Sequence, residues 1–194
     1  LSDEILAGLE RGEFVPHYQL QFRAADLEVA GAETLARWEH PERGLLTPDK
    51  FLQVAEDLDV VAAIDKMILD KALADFARWR REGIDIPKLS VNVSSRRLAD
   101  PALANSLRDI DMPEGTLSFE LLETIFLDDC NEAVTENLRL IRKLGIGIEI
   151  DDFGTGHASI VSLLKTGPGT LKIDRELIAP LTGAMEQRRL VASI

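Results

Sequence analysis

Segments with the pattern of a β-strand alternate with segments with the pattern of a helix, and this alternation restricts the fold more than any other feature. Apolar, β-prone runs predict strands over residues 14–21, 31–38, 88–93, 117–121, 146–150 and 170–173. Apolar residues at helical spacing, with Gly or Pro at the ends, predict helices over 47–58, 65–83, 100–107, 134–144, from about 159, and over 186–194. Such an order is typical of a parallel sheet with crossover helices.

Two architectures share this pattern, an open doubly wound sheet and a (β/α) barrel. The Rossmann form of the open sheet is disfavoured, because no Gly-x-Gly-x-x-Gly follows the first strand. The first two strands are separated by a short turn near Ala25 and Asp26, which predicts a hairpin. No linker-like or low-complexity stretch interrupts residues 1–194, so we expect one domain.

Polar side chains recur at the ends of the predicted strands, inside or just after apolar runs. They are Glu33, Asn92, Glu120, the adjacent pair Asp151 and Asp152, and Lys172. In a parallel α/β fold the carboxyl ends of the strands lie at one edge, where ligands bind. Several carboxylates converging there require cations, and oxygen donors without His or Cys suit Mg²⁺ or Mn²⁺.

Each of these residues also has a simpler interpretation when it is taken alone. Glu33 could be a half-buried acid paired with Arg37, and Glu120 could lie on the solvated face of an edge strand. Asn92 could be a turn residue, and Lys172 a surface lysine with a buried stem. The shared position at strand ends argues against these readings, because independent surface charges would not follow the strands.

The charge balance excludes some classes of partner. Lys and Arg total 22 and Asp and Glu total 34, which gives a formal net charge of −12. A surface this acidic disfavours DNA, RNA and anionic membranes, but it allows a small anionic ligand at a site lined by cations. No signal peptide or membrane-length apolar run is visible, and Cys130 is the only cysteine, so we expect a cytoplasmic location.

Short motifs occur in a fixed order along essentially the whole chain. They are Tyr18-Gln19, Glu33-Thr34-Leu35-Ala36-Arg37-Trp38, Asn92-Val93-Ser94, Glu120-Leu121-Leu122-Glu123-Thr124, Asp151-Asp152-Phe153-Gly154-Thr155-Gly156 and Leu171-Lys172-Ile173-Asp174-Arg175. This ordered set resembles the EAL-domain family of bacterial cyclic-di-GMP phosphodiesterases. Three positions depart from the family pattern, with Leu20 in place of Pro, Thr34 in place of Ala and Leu122 in place of Thr.

The resemblance implies a modified (β/α)₈ barrel of the TIM type, whose first strand runs antiparallel. It also implies hydrolysis of cyclic-di-GMP to linear pGpG, with two Mg²⁺ or Mn²⁺ ions at the site. The alternative function within the family is an inactive module that binds cyclic-di-GMP as a receptor. Such modules usually lose metal ligands, whereas this chain keeps those that it is long enough to contain.

The resemblance implies specific roles, assigned motif by motif. Metal would be bound by Glu33, Asn92, Glu120, Asp151 and Asp152, with Asp151 bridging the two ions. Glu33, Asp151, Asp152 and Lys172 would be catalytic, with Lys172 contacting the attacking water. Gln19, Leu35 and Arg37 would contact the substrate, and Glu123 would hold the loop over 152–156 in place.

The family pattern continues beyond the motifs found here. A later Glu-Gly-Val-Glu segment, a later glutamine and the last two barrel strands are missing, so we expect the chain to be an excerpt of a longer polypeptide. The resemblance further implies a homodimer and fusion to sensory or GGDEF-type domains. The whole protein could be membrane-anchored while this domain makes no membrane contact.

Overall fold

A computed structural model describes residues 1–108, 110, 112–123, 132–154, 167–182, 188, 189 and 191. The helices are α1 Ser2–Arg11, α2 Leu52–Asp57, α3 Val61–Arg81, α4 Ser95–Leu98, α5 Leu103–Ser106, α6 Glu132–Lys143 and α7 Arg175–Ile178. The strands are β1 Phe14–Phe22, β2 Val29–His40, β3 Gly44–Leu46, β4 Leu89–Asn92, β5 Leu117–Leu122, β6 Gly147–Phe153 and β7 Thr170–Ile173. Short 3₁₀ turns cover Pro48–Lys50 and Ala179–Thr182.

The strands form one sheet in the order β1-β2-β4-β5-β6-β7, with the short β3 paired to β2. β1 and β2 are antiparallel, and every later pair along the path is parallel. The antiparallel first strand and the hairpin turn are therefore confirmed. Within the described part of the chain, β1 and β7 end the sheet without pairing to each other, so closure into a barrel is not seen there.

Most of the apolar core lies between the sheet and the helices. The long helix α3 contributes Ile64, Ile68, Leu69 and Phe76, each at most 4% exposed. A second group of rings fixes the hairpin, where Phe14 packs on Trp38 and Phe51 with ring centroids 5.2 and 5.3 Å apart. This packing anchors β1 and β2 and so sets the position of the β2 side chains on the other face.

Several predicted boundaries are wrong for identifiable reasons. The helix expected over 47–58 is split into the 3₁₀ turn and α2, because Phe51 turns into the aromatic group instead of continuing a helical stripe. α3 begins at Val61 rather than 65, since the buried stripe already includes Val61 and Ile64. β3, α1 and α4 were not predicted at all.

Two predicted helices fall on residues that are wholly or largely undescribed. The one expected from about 159 lies outside the described residues, as do Thr155, Gly156 and Cys130. Of the helix expected over 186–194, residues 188, 189 and 191 are helical and the others lie outside the described residues. α6 ends as predicted before Gly145, whose φ of +75° favours glycine.

Candidate metal centre

Three carboxylates from three different strands meet around one ammonium group. One carboxylate oxygen each from Glu33 on β2, Glu120 on β5 and Asp151 on β6 lies within 4.8 Å of the others. Lys172 on β7 places its Nζ 2.7 Å from Glu33 Oε2, 2.7 Å from Glu120 Oε1 and 3.6 Å from Asp151 Oδ1. The predicted convergence is therefore present for Glu33, Glu120, Asp151 and Lys172.

Sheet register explains why these side chains meet. Asn92 lies opposite Glu120, and Leu122 lies opposite Asp151. The site residues therefore lie on neighbouring strands, with a shift of two residues between Glu120 and Asp151. In paired parallel strands, residues opposite each other face the same side of the sheet. Asn92 therefore lies on the face of the cluster, at the exposed end of β4.

The cluster holds more negative charge than its lysine balances. Glu120 is 1% exposed, and within the described residues neither of its oxygens has a hydrogen-bond partner. The 2.7 Å contact with Lys172 is thus an ion pair without hydrogen-bond alignment, and Oε2 accepts no hydrogen bond from the described part of the chain. An orphaned, buried carboxylate oxygen costs free energy unless a further cation reaches it.

The titration of the two central groups reflects this imbalance. Burial, opposed by Lys172 and reinforced by the Glu33 and Asp151 charges, raises the pKa of Glu120 to about 7. Burial alone would lower the pKa of Lys172, but the contacts with Glu120 and Glu33 outweigh it and raise that pKa. Lys172 therefore stays protonated at neutral pH, whereas the Glu120 carboxyl changes its protonation state near pH 7.

The simpler interpretations of Glu33 and Glu120 are both wrong. Glu33 pairs with Lys172 across 139 residues, whereas Arg37 Nη1 donates a hydrogen bond to Ala36 O at 2.7 Å. Glu120 is buried on β5, which lies between β4 and β6 and is not an edge strand.

Asp152 is not among the three clustered carboxylates of the described residues. The predicted strand ends at residue 150, but β6 continues to Phe153, because Phe153 pairs with Ile173 after a register shift. At that irregularity Asp152 adopts a left-handed φ of +53° and is exposed. Partial desolvation of this carboxyl, with the nearby Asp151 and Asp174 charges, raises the pKa of Asp152. Its role as a ligand of a second ion stays a prediction.

The expected substrate-contacting residues lie near the cluster along the chain. Leu35 and Arg37 follow Glu33 at alternate positions of β2, which puts all three on one face. Gln19 of β1 lies directly opposite Glu33 in the hairpin. The substrate contacts expected of Gln19, Leu35 and Arg37 stay predictions.

Glu123 joins the end of β5 to the segment after β6. Its Oε2 accepts a hydrogen bond from Gly154 N at 3.1 Å, and the residue is 2% exposed. Gly154 has a φ of +106°, and a Cβ there would overlap the Leu177 side chain of α7. The first residue after β6 is thus fixed from two sides, while the positioning role expected of Glu123 stays a prediction.

Two further acids near the site escaped the sequence analysis. Glu149 on β6 is 2% exposed and pairs with Lys88 Nζ at 2.6 Å, and Asp65 on α3 accepts a hydrogen bond from Ser94 N at 2.9 Å. The available signal for both was an acid inside an apolar pattern, Ile148-Glu149-Ile150 in a strand and Ile64-Asp65 in a helix.

The residues present fit a hard divalent cation. The donors are carboxylate oxygens with an amide on the same face. Among the residues that the structure describes, Glu120 Oε2 has no hydrogen-bond partner, and the carboxylates of the cluster outnumber its one ammonium. Glu33, Glu120 and Asp151 could hold such an ion, with Asn92 adjoining them.

Comparison with known proteins places the chain in one group. The family model described as EAL domain matches residues 2–194. MucR of Pseudomonas aeruginosa, named a bifunctional diguanylate cyclase and cyclic di-GMP phosphodiesterase, is 32% identical over 198 residues, covering 100% of this chain and 29% of MucR. An uncharacterized protein of Mycobacterium tuberculosis (strain H37Rv) is 35% identical over 193 residues, covering 97% of this chain and 62% of that protein.

The fold agrees with a solved relative. The structure titled PaMucR Phosphodiesterase, c-di-GMP complex, superposes with a TM-score of 0.86 at 33% identity, covering 99% of this chain and 79% of that one. The chain therefore has the mixed α/β, TIM-barrel-like fold of these proteins. The chain spans less than two thirds of the length of each of these two sequence relatives. Among the described residues, no helix has both the length and the apolarity to cross a bilayer.

Proposed function

The chain belongs to the EAL domain family, and from that premise we propose that it hydrolyses one phosphodiester bond of cyclic-di-GMP to give linear pGpG. The observation that carries the proposal is the cluster of Glu33, Glu120 and Asp151, in which Glu120 is buried and its oxygens have no hydrogen-bond partner among the described residues. The name of the relative MucR and the cyclic-di-GMP in its solved complex support the choice of substrate.

The proposed cofactor is a pair of Mg²⁺ or Mn²⁺ ions. Glu33, Asn92, Glu120 and Asp151 would hold one, and Asp152 would hold the second. When bound, two ions stabilise the attacking and the leaving oxygens of an in-line displacement.

The residues of the chain supply orientation and charge for this reaction. Lys172, held 2.7 Å from both Glu33 and Glu120, offers an ammonium to the attacking water. Arg37 would bind a phosphate through charge-assisted hydrogen bonds, and Gln19 and Leu35 would position the dinucleotide. The water oxygen then bonds to phosphorus as the bond to the 3′ oxygen breaks, and that oxygen takes up a proton.

The deciding experiment is a mass-resolved assay with cyclic-di-GMP and Mn²⁺, with a chelator control. We expect pGpG to appear only when the metal is available. Asp152→Asn should remove turnover and leave dinucleotide binding largely intact, because only a ligand charge is lost. Unchanged turnover in this variant would remove the second-metal role of Asp152.

One observation favours a second candidate function, a cyclic-di-GMP receptor that does not cut its ligand. Asp152 is exposed and is not among the three clustered carboxylates of the described residues. Saturable binding of cyclic-di-GMP without any pGpG, in the presence of Mn²⁺, would identify the receptor.

The larger assembly follows from the same premise. We propose that this domain works in the cytoplasm as part of a longer signalling protein, as a homodimer, and fused to sensory or GGDEF-type domains. The name of MucR, which combines a cyclase with a phosphodiesterase, supports such a fusion.

A further inference from the structure

Asp65 is an acid on the helix face that packs against the sheet. It follows buried Ile64 on α3, and Ile68 lies one turn further on. Burial raises the pKa of Asp65, because desolvation disfavours the charged carboxylate. A costly carboxylate kept in such a place needs compensating contacts.

The compensating contact joins Asp65 to the segment that follows β4. Asp65 Oδ2 accepts a hydrogen bond from Ser94 N at 2.9 Å, between residues 29 positions apart. The nearby buried Arg97 also favours the charged carboxylate. α3 is thereby tied to the turn between β4 and α4.

This turn directly follows Asn92. Val93 is 4% exposed, and its N–H donates to Glu120 O at 3.0 Å. Ser94 then caps α4, its Oγ accepting a hydrogen bond from Arg97 N at 3.3 Å. The backbone beyond Asn92 is thus fixed first by β5, then by Asp65, and then by the helix cap.

We propose that Asp65 is a positioning residue for Asn92, holding Ser94 N so that the Asn92 amide stays beside the Glu120 carboxylate. The inference rests on the proposed function, because it takes Asn92 as a metal ligand. Asn92 ends its strand and is exposed, so β4 alone does not fix its direction. Outer-shell partners of metal ligands typically change affinity or activity roughly 10- to 100-fold.

Three variants of the full chain separate the contributions. Asp65→Ala removes the acceptor, and Asp65→Asn keeps an acceptor oxygen for Ser94 N while it removes the charge. Asp70→Ala is the matched control, since Asp70 is exposed on the same helix and pairs with Lys66 at 2.6 Å.

Mn²⁺ affinity, measured from the electron paramagnetic resonance of free Mn²⁺, is read beside kcat and KM for cyclic-di-GMP. We expect Asp65→Ala to weaken Mn²⁺ binding about tenfold, Asp65→Asn to restore most of it, and Asp70→Ala to match the wild type. In an Asn92→Ala background, Asp65→Ala should cause no further loss, because a residue that acts through Asn92 is not additive with it.

Two results would overturn the inference alone: wild-type Mn²⁺ affinity in Asp65→Ala, or equal losses in both backgrounds, which would make Asp65 a purely structural residue. If Asp65→Ala does not fold, Asp65→Asn carries the test, because a tenfold loss of Mn²⁺ affinity in this variant would overturn the role of the hydrogen bond to Ser94 N. A wild-type chain that neither binds Mn²⁺ nor hydrolyses cyclic-di-GMP would instead overturn the proposed function itself.

Discussion

Glu120 and Glu149 lie opposite each other on adjacent strands, 1% and 2% exposed, yet their surroundings differ. Lys88 Nζ lies 2.6 Å from Glu149 Oε1, and Ser90 Oγ donates to Glu149 Oε2 at 3.3 Å. Glu120 shares Lys172 with two other carboxylates, and its Oε2 has no partner within the described chain. One acid is neutralised by the fold itself, and the other is left for a ligand to neutralise.

The comparison separates two uses of buried charge. A matched pair such as Lys88 and Glu149 contributes to stability only when both partners are present. An unmatched group such as Glu120 lowers the stability of the free protein and favours the binding of a cation. Variants at each acid should therefore affect different properties.

Glu120→Gln should have the largest effect, a loss of turnover greater than about 100-fold, which is the upper end for losing only an outer-shell partner. The reason is that the variant removes a charged ligand from the centre of the cluster. kcat/KM with cyclic-di-GMP and Mn²⁺ measures the loss. Glu149→Gln is the matched control and should retain most activity. An equal loss of kcat/KM in both variants would contradict the assignment of different roles to the two acids.

Breaking the matched pair should reduce stability instead. Glu149→Gln and Lys88→Met should each lower the free energy of unfolding by about 1–3 kcal/mol, because each leaves a polar group short of its partner. Urea denaturation measures both variants and the double variant. We expect the double variant to recover part of the loss, whereas strictly additive losses would show that the 2.6 Å contact has no energetic coupling.

The pH dependence of stability should follow Glu120 in the metal-free protein. Its pKa is raised to about 7 from the ordinary 4.5, so between these values the folded state binds a proton that the unfolded state has lost. The contribution of Glu120 to the free energy of unfolding is fully present below pH 4.5. It falls by at most about 1.4 kcal/mol per pH unit as the pH rises from there through 7. Urea midpoints of wild type and Glu120→Gln between pH 5 and 8 measure it, and identical slopes would contradict the assignment.

Local sequence patterns could predict the fold class and most of the site, because both depend on where strands end. The positions of Asn92, Glu120 and Asp151, at or near the ends of β4, β5 and β6, follow from that rule, whereas Glu33 lies inside β2. The partners do not, since the choice of Lys172 rather than Arg37 for Glu33 depends on sheet register across distant segments. The contacts of Asp65 and Glu149 likewise depend on helix rotation and on strand pairing, which no local pattern specifies.

The separation of 139 positions between Glu33 and Lys172 has a consequence for biosynthesis. A nascent chain carries Glu33, Glu120 and Asp151 before the ribosome adds Lys172, which partly neutralises them. Until β7 docks beside β6, the acids repel one another and the edge of the sheet is unpaired. The cluster can therefore form in full only after β7 has been synthesised, and a polypeptide released before Lys172 would lack the cation that contacts its acids.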